Sequence, residues 1–200
     1  MVFFLALSKL AFTYLFCWPL ASHISEIFSV IYSSKQVGTR NKLIDVIQEN
    51  FSIENPKIFS ILRKVKDIVS YVPPISILLY YAMTDHDRFN EFSTYICGIK
   101  LLRCLFFLST TIPACNRESY RKTRLEKNFT GGCNDLIFSG HVSHFYASLL
   151  YLQHYHYFPI PPFLPSIFLG FIIVILKHHY TIDILVVFPV VWCWYSYYIV

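Results

Sequence analysis

Three side chains in the C-terminal third have the types and spacing for nucleophilic and acid–base work: His141, His179 and Asp183. Asp183 follows His179 by four residues, a helical-neighbour spacing that lets a carboxylate accept from an imidazole N–H. Such a carboxylate fixes the ring's tautomer and stabilises the imidazolium, which makes the histidine a better nucleophile or base. A second imidazole, His141, supplies the proton that a poor alkoxide leaving group needs. Together they describe phosphoryl transfer: attack of His179 on phosphorus, a phosphohistidine intermediate, and acid then base work by His141. Phosphate charge has to be neutralised in such a reaction. Arg103, inside an apolar run where a charge is costly unless it meets a cavity or a partner, is one source. The loop 114–133, with Arg117, Arg121, Lys122, Arg124 and Lys127 ahead of Gly131-Gly132, is another. No metal or other cofactor is required.

Other readings of the same residues stay open at this level. A His/Asp pair four apart on a helix is also a common structural hydrogen bond. His141, His144, His178 and His179 form a conceivable metal-ligand set, disfavoured by the many cations around them. The six cysteines show no CxxC spacing, and Cys115 and Cys133 would pair only in an oxidising lumen. His154 and His156 flank a turn and read as interfacial.

The elements that position these residues follow from composition. The 200 residues are 55% hydrophobic, 18% aromatic and 14% charged, with a mean hydropathy of +0.47, which excludes an ordinary soluble domain. Apolar runs near the length of a bilayer crossing, bounded by charge or proline, predict an all-α polytopic membrane protein of about six transmembrane helices. They fall at residues 2–20 (running on to 31), 68–83, 92–112, 136–157, 163–176 and 181–200. Lys9 snorkels or faces a partner helix, and Pro73-Pro74 should kink the second span or delay its start. Residues 33–67 are the most polar stretch and read as an amphipathic surface segment, and 85–91 as an acidic turn. The chain thus divides into 1–67, a first span and surface segment, and 68–200, the catalytic core. Six crossings bring His141 and His179 to one membrane face. The net charge of +5 is concentrated in two loops, which argues against a nucleic-acid face and for lipid headgroups or phosphates.

The segment Cys133-Asn134-Asp135-Leu136-Ile137-Phe138-Ser139-Gly140-His141-Val142 resembles a motif of the sphingomyelin synthase family: Cys-Gly-Asp, two or three apolar residues, then Ser-Gly-His-Thr. His179-Tyr180-Thr181-Ile182-Asp183-Ile184 resembles that family's His-Tyr-Thr-x-Asp-Val. Arg103, followed by Thr110-Thr111-Ile112-Pro113, is similar to its Arg and Thr-Thr-Leu-Pro segment. The resemblance implies a PAP2-like helical bundle of the lipid phosphate phosphatase superfamily, transferring phosphocholine from phosphatidylcholine to ceramide, with no cofactor. It implies His141, His179 and Asp183 as the catalytic triad, with Arg103, Asp135, Ser139, Gly140 and Tyr180 as substrate contacts.

Two positions depart from the pattern. Asn134 stands where the family has Gly, and Val142 where it has Thr. The latter change is shared with the plant phosphatidylcholine:diacylglycerol cholinephosphotransferases, so diacylglycerol as acceptor, phosphoethanolamine as headgroup, and simple phosphatase action stay open, as does a homo-oligomer. The resemblance further implies a multi-pass protein of the Golgi, endoplasmic reticulum or plasma membrane with a lumenal or exoplasmic site. The sequons at Asn50 and Asn128 agree with that side, whereas the Lys and Arg content of the same loops favours the cytoplasm.

Overall fold

A computed structural model describes residues 2–17, 19–21, 24, 45–51, 53, 55–109 and 138–200. These are helical, with no strand among them. In chain order the helices are α1 (Val2–Ala11, continued by a π-helical turn Phe12–Cys17), α2 (Val46–Asn50), α3 (Pro56–Thr84), α4 (His86–Ser109), α5 (Gly140–His154), α6 (Phe163–Ile175), α7 (Thr181–Leu185) and α8 (Val187–Tyr198).

The core forms around α5, which packs against α3, α4, α6 and α8. Between Gly140 and Tyr151 its residues are mostly apolar or small, as suits a helix enclosed by neighbours. From Gly140 to Tyr151 every residue is buried except His141. Serines on this helix return hydrogen bonds to their own backbone, Ser148 Oγ to the His144 carbonyl at 2.7 Å and Ser143 Oγ to that of Gly140 at 3.2 Å, so their hydroxyls cost little inside. A ring cluster of Phe92, Tyr95 and Tyr151 closes the end of the bundle remote from His141. There the Glu91 carboxylate accepts from the Tyr151 and Tyr155 hydroxyls at 3.1 and 2.9 Å.

Three boundaries differ from those expected. The second helix begins at Pro56, well before residue 68, because Asn55 caps it by accepting the Lys57 and Ile58 N–H groups and proline is at home in a first turn. It then carries through Pro73 and Pro74, held by its packing on α4, α5 and α6. The stretch read as an acidic turn is instead the start of α4, because Asp85 Oδ1 accepts the Asp87 and Arg88 N–H groups and caps it. The last span is divided at Val186 into α7 and α8.

Two described helical stretches, Val2–Ala21 and Thr181–Tyr198, are long and apolar enough to cross a membrane, against six expected. The others are shorter or carry charge: α5 has 15 residues and α6 has 13, while α4 includes Asp87, Arg88, Glu91, Lys100 and Arg103. Large apolar side chains are nonetheless exposed along several helices, among them Phe4 and Phe16, Ile68 and Leu79, and Phe168 on α6. In water such a surface would associate, whereas in lipid it is solvated. Lys9 faces a partner helix: its ammonium donates to Asn90 Oδ1 at 3.1 Å and Thr94 Oγ1 at 2.9 Å on α4. Of the polar segment 33–67, the described residues give the short helix α2 and the first turns of α3.

Candidate active site

The chain delivers His179 by a tight reversal. After α6, the Lys177 N–H bonds the Val174 carbonyl at 2.8 Å and the His178 N–H bonds that of Ile173 at 3.1 Å. Lys177 takes the left-handed conformation at φ 56°, so the helix ends in the pattern usually closed by glycine. His178 and His179 then lead into α7. The Asp183 carboxylate, fully buried, turns back on this entry: Oδ2 accepts the Tyr180 N–H at 2.8 Å and lies 3.4 Å from His179 Nδ1. Its Oδ1 has no hydrogen-bond partner among the described residues. The contact expected from the four-residue spacing is therefore present, although α7 starts after His179 and the carboxylate reaches back across the helix entry.

His141 is the second residue of α5. Ser139 caps that helix, with Oγ accepting the Val142 N–H at 3.5 Å, and the Ser139 N–H reaches the Asp183 carbonyl at 3.4 Å. This last bond ties the two motifs together through backbone. Arg103 on α4 is buried, donates from Nε to the Phe138 carbonyl at 3.0 Å, and lies against Gly140. A Cβ at Gly140 would come within 2.0 Å of Arg103 Nη1, so a residue without one is required for the guanidinium to occupy this place.

Four further residues enter the site that spacing did not single out. Asp45 accepts the Thr181 N–H at 2.6 Å through Oδ2 and the Thr181 hydroxyl at 3.0 Å through Oδ1, while capping α2. Gln48 Nε2 donates to the His179 carbonyl at 2.8 Å. Asp67 Oδ1 lies 3.1 Å from His141 Nε2 and 2.8 Å from Lys66 Nζ, and Lys66 is buried. A pair of opposite charges at the mouth of an apolar run was the available signal for Lys66 and Asp67. None existed for Asp45 and Gln48, whose partners are more than 130 residues away.

Electrostatics follow from these contacts. Burial alone would raise the Asp67 carboxyl, but hydrogen bonds and charge from His141 and Lys66 hold it well below the usual carboxylate range. Asp45, likewise pushed up by burial, is brought below its ordinary value by the N–H groups and hydroxyl it accepts from. Burial, aided by the charges of Lys66, His179, His141 and Arg63, lowers His178 to about 2, so it stays neutral.

His144 does not join the site. Its Nδ1 donates to the Gly140 carbonyl at 2.7 Å, leaving Nε2 to accept from the Tyr14 hydroxyl at 2.9 Å. That takes one ligand out of the metal set considered from sequence, and no group of three or more His, Cys, Asp or Glu placed to hold a metal occurs among the described residues. His154 meets the Tyr195 hydroxyl at 3.3 Å. Tyr180 is buried and, with Asp45, Thr181 and Ile182, lines an open apolar cavity of about 440 Å³ beside α2. Asp135, Asn134, Cys115, Cys133, residues 110–113, the basic loop and the Asn128 sequon lie outside the described residues, as does Ser52 of the sequon at Asn50.

One comparison bears on what this geometry is for. Residues 132–199 match the family described as PAP2 superfamily C-terminal. The matched stretch contains His141, His179 and Asp183 together, and it supports a PAP2-like enzyme acting on lipid phosphates, a coarser assignment than the sphingomyelin synthase family. No curated protein and no solved structure matches the chain.

Proposed function

We propose that the chain is a membrane phosphotransferase that moves the phosphocholine headgroup of phosphatidylcholine to ceramide, working within a lipid bilayer that its six apolar segments cross. The observation that carries this reading is the pairing of His179 with the buried Asp183, 3.4 Å apart, tied by the bond from the Ser139 N–H to the Asp183 carbonyl to the helix whose one residue not buried between Gly140 and Tyr151 is His141.

In the first half-reaction the lone pair of His179 Nε2 attacks phosphorus while Asp183 stabilises the proton on Nδ1. The bond from phosphorus to the diacylglycerol oxygen breaks, and the leaving oxygen takes its proton from the His141 imidazolium. In the second, neutral His141 takes the proton of the acceptor hydroxyl, its oxygen bonds phosphorus, and the P–N bond breaks to return His179. Arg103 and Lys66 supply positive charge for the phosphoryl oxygens. Ser139, Gly140, Tyr180 and Asp135 contribute as motif positions around the headgroup.

A second reading is favoured by the breadth of the PAP2 match: water takes the acceptor's place and the enzyme is a lipid phosphate phosphatase. Choline-labelled phosphatidylcholine, presented to the purified chain in mixed micelles with ceramide, with diacylglycerol, or with neither, separates the two. Labelled sphingomyelin supports transfer to ceramide. Free phosphocholine released at the same rate with and without acceptors contradicts transfer, and inorganic phosphate released from labelled phosphatidate establishes the phosphatase.

A further inference from the structure

The boundary between the polar and apolar parts of α3 places two opposite charges on His141. An ammonium has only donors and an ionised carboxylate only acceptors. Asp67 Oδ1, 2.8 Å from Lys66 Nζ and 3.1 Å from His141 Nε2, is therefore one acceptor shared by two donors. The Lys66 ammonium also comes to 3.3 Å from Nε2, but at the longer distance and with the carboxylate already in place it is the weaker claim on that nitrogen. The proton of the neutral ring then resides on Nε2, and its lone pair on Nδ1. That second nitrogen has no hydrogen-bond partner among the described residues, and His141 is the residue of its helix face that stays open. The groups that face the ring are Lys66, Asp67 and Tyr71 from α3, His144 one turn along α5, and His178 and His179 from the reversal before α7.

We propose that Asp67 is the positioning residue of His141: it fixes the Nε2–H tautomer and so makes Nδ1 the nitrogen that gives and takes the reaction's proton. The proposal rests on the phosphotransfer reading above. The site then holds two imidazoles, each oriented by its own carboxylate on a different helix, Asp183 for His179 and Asp67 for His141. The proton balance is closed. As the first P–O bond breaks, the imidazolium loses its Nδ1 proton to the leaving oxygen and keeps Nε2–H on Asp67. As the acceptor oxygen bonds phosphorus, its hydroxyl proton returns to Nδ1. Asp67 stays ionised throughout. With its side chain 48% exposed it orients His141 less rigidly than the buried Asp183 orients His179.

The test is Asp67→Asn in the full chain, read in two ways. In the variant, Lys66 takes the amide oxygen, so the amide nitrogen is left to donate to the ring, which drives the neutral tautomer toward Nδ1–H. Histidine-labelled protein in lipid nanodiscs reports this directly by nitrogen chemical shifts, the His141 signal being assigned by its loss in His141→Gln. The expected result is Nε2–H in the wild type and a shift to Nδ1–H in Asp67→Asn. In the choline-release assay kcat falls about tenfold to a hundredfold, KM changes less than about twofold, and the histidine limb of the pH–kcat profile moves to lower pH. Asp67→Glu recovers part of kcat, and an unchanged thermal midpoint separates the loss from misfolding. An unchanged His141 tautomer, or a loss confined to KM, overturns the proposal. A wild-type chain inert toward phospholipid overturns the phosphotransfer reading instead, and the tautomer then decides the Asp67–His141 coupling by itself.

Discussion

Asp45 holds Thr181 by two hydrogen bonds, from the backbone N–H at 2.6 Å and the hydroxyl at 3.0 Å, across 136 residues of sequence. Gln48, one turn along the same short helix, adds a bond to the His179 carbonyl at 2.8 Å. The stretch that carries His179 is thus fixed from outside the C-terminal segment. A five-residue helix has little stability of its own, so α2 and the entry to α7 depend on each other.

Asp45→Ala removes both the cap of α2 and this clasp. The expected cost is about 2 kcal/mol or more, a fall of roughly 4–8 °C in thermal midpoint. The pH dependence has a definite sign. Asp45 has a folded pKa below its unfolded value, so its contribution is complete above the unfolded carboxylate value near ~4 and is lost as pH falls below it. Thermal melts between neutral and acid pH should narrow the gap between wild type and Asp45→Asn as the pH falls. A gap independent of pH contradicts the clasp.

Gly140→Ala should separate fold from function. The new methyl meets the Arg103 guanidinium, the far end of a long side chain, so the helix persists while Arg103 is displaced from the Phe138 carbonyl. A loss of at least about tenfold in kcat/KM with a midpoint within about 3 °C of wild type is the outcome expected. Arg103→Lys, which keeps the charge but not the guanidinium fork, should lose activity as well.

Asp183→Asn keeps volume and removes the charge that, in the proposed reaction, stabilises the His179 imidazolium. Turnover is expected to fall about 10²- to 10⁴-fold, mostly in kcat. Steady-state kinetics on labelled phosphatidylcholine check it, and a variant retaining more than about half of wild-type kcat would leave Asp183 a structural cap alone.

Lys177→Gly tests the reversal. A lysine in the left-handed region is strained by about 1–2 kcal/mol, which glycine relieves, less about 0.5–1 kcal/mol of its own entropy. The variant should therefore melt at or slightly above the wild-type temperature, and a fall of several degrees would show that the lysine side chain matters there.

Sequence pattern reached the helical class and the His179–Asp183 contact because both are local: one depends on the length of apolar runs, the other on a spacing of four residues. The same locality misled on the start of the second helix, which lies at Pro56 and not after Pro73-Pro74, and at 85–91, where charges that look like a loop form a capped first turn. The end of α6 falls within a residue of the expected 176, because charge at Lys177 closes the apolar run, but nothing marked Lys177 for the left-handed conformation usually taken by glycine. Asp45 and Gln48 were invisible as site residues because each acts on a partner more than 130 positions distant, and one sequence carries no record of such pairings.

The proposed reaction requires His179 to carry the phosphoryl group. Phosphatidylcholine labelled in its phosphate, incubated with the purified chain without acceptor and quenched in alkali to preserve a P–N bond, tests it by mapping the label to peptides. The expected result is label on His179, absent in His179→Ala, and released into sphingomyelin when ceramide is added. Turnover that proceeds undiminished in His179→Ala, or label on another residue, would contradict it.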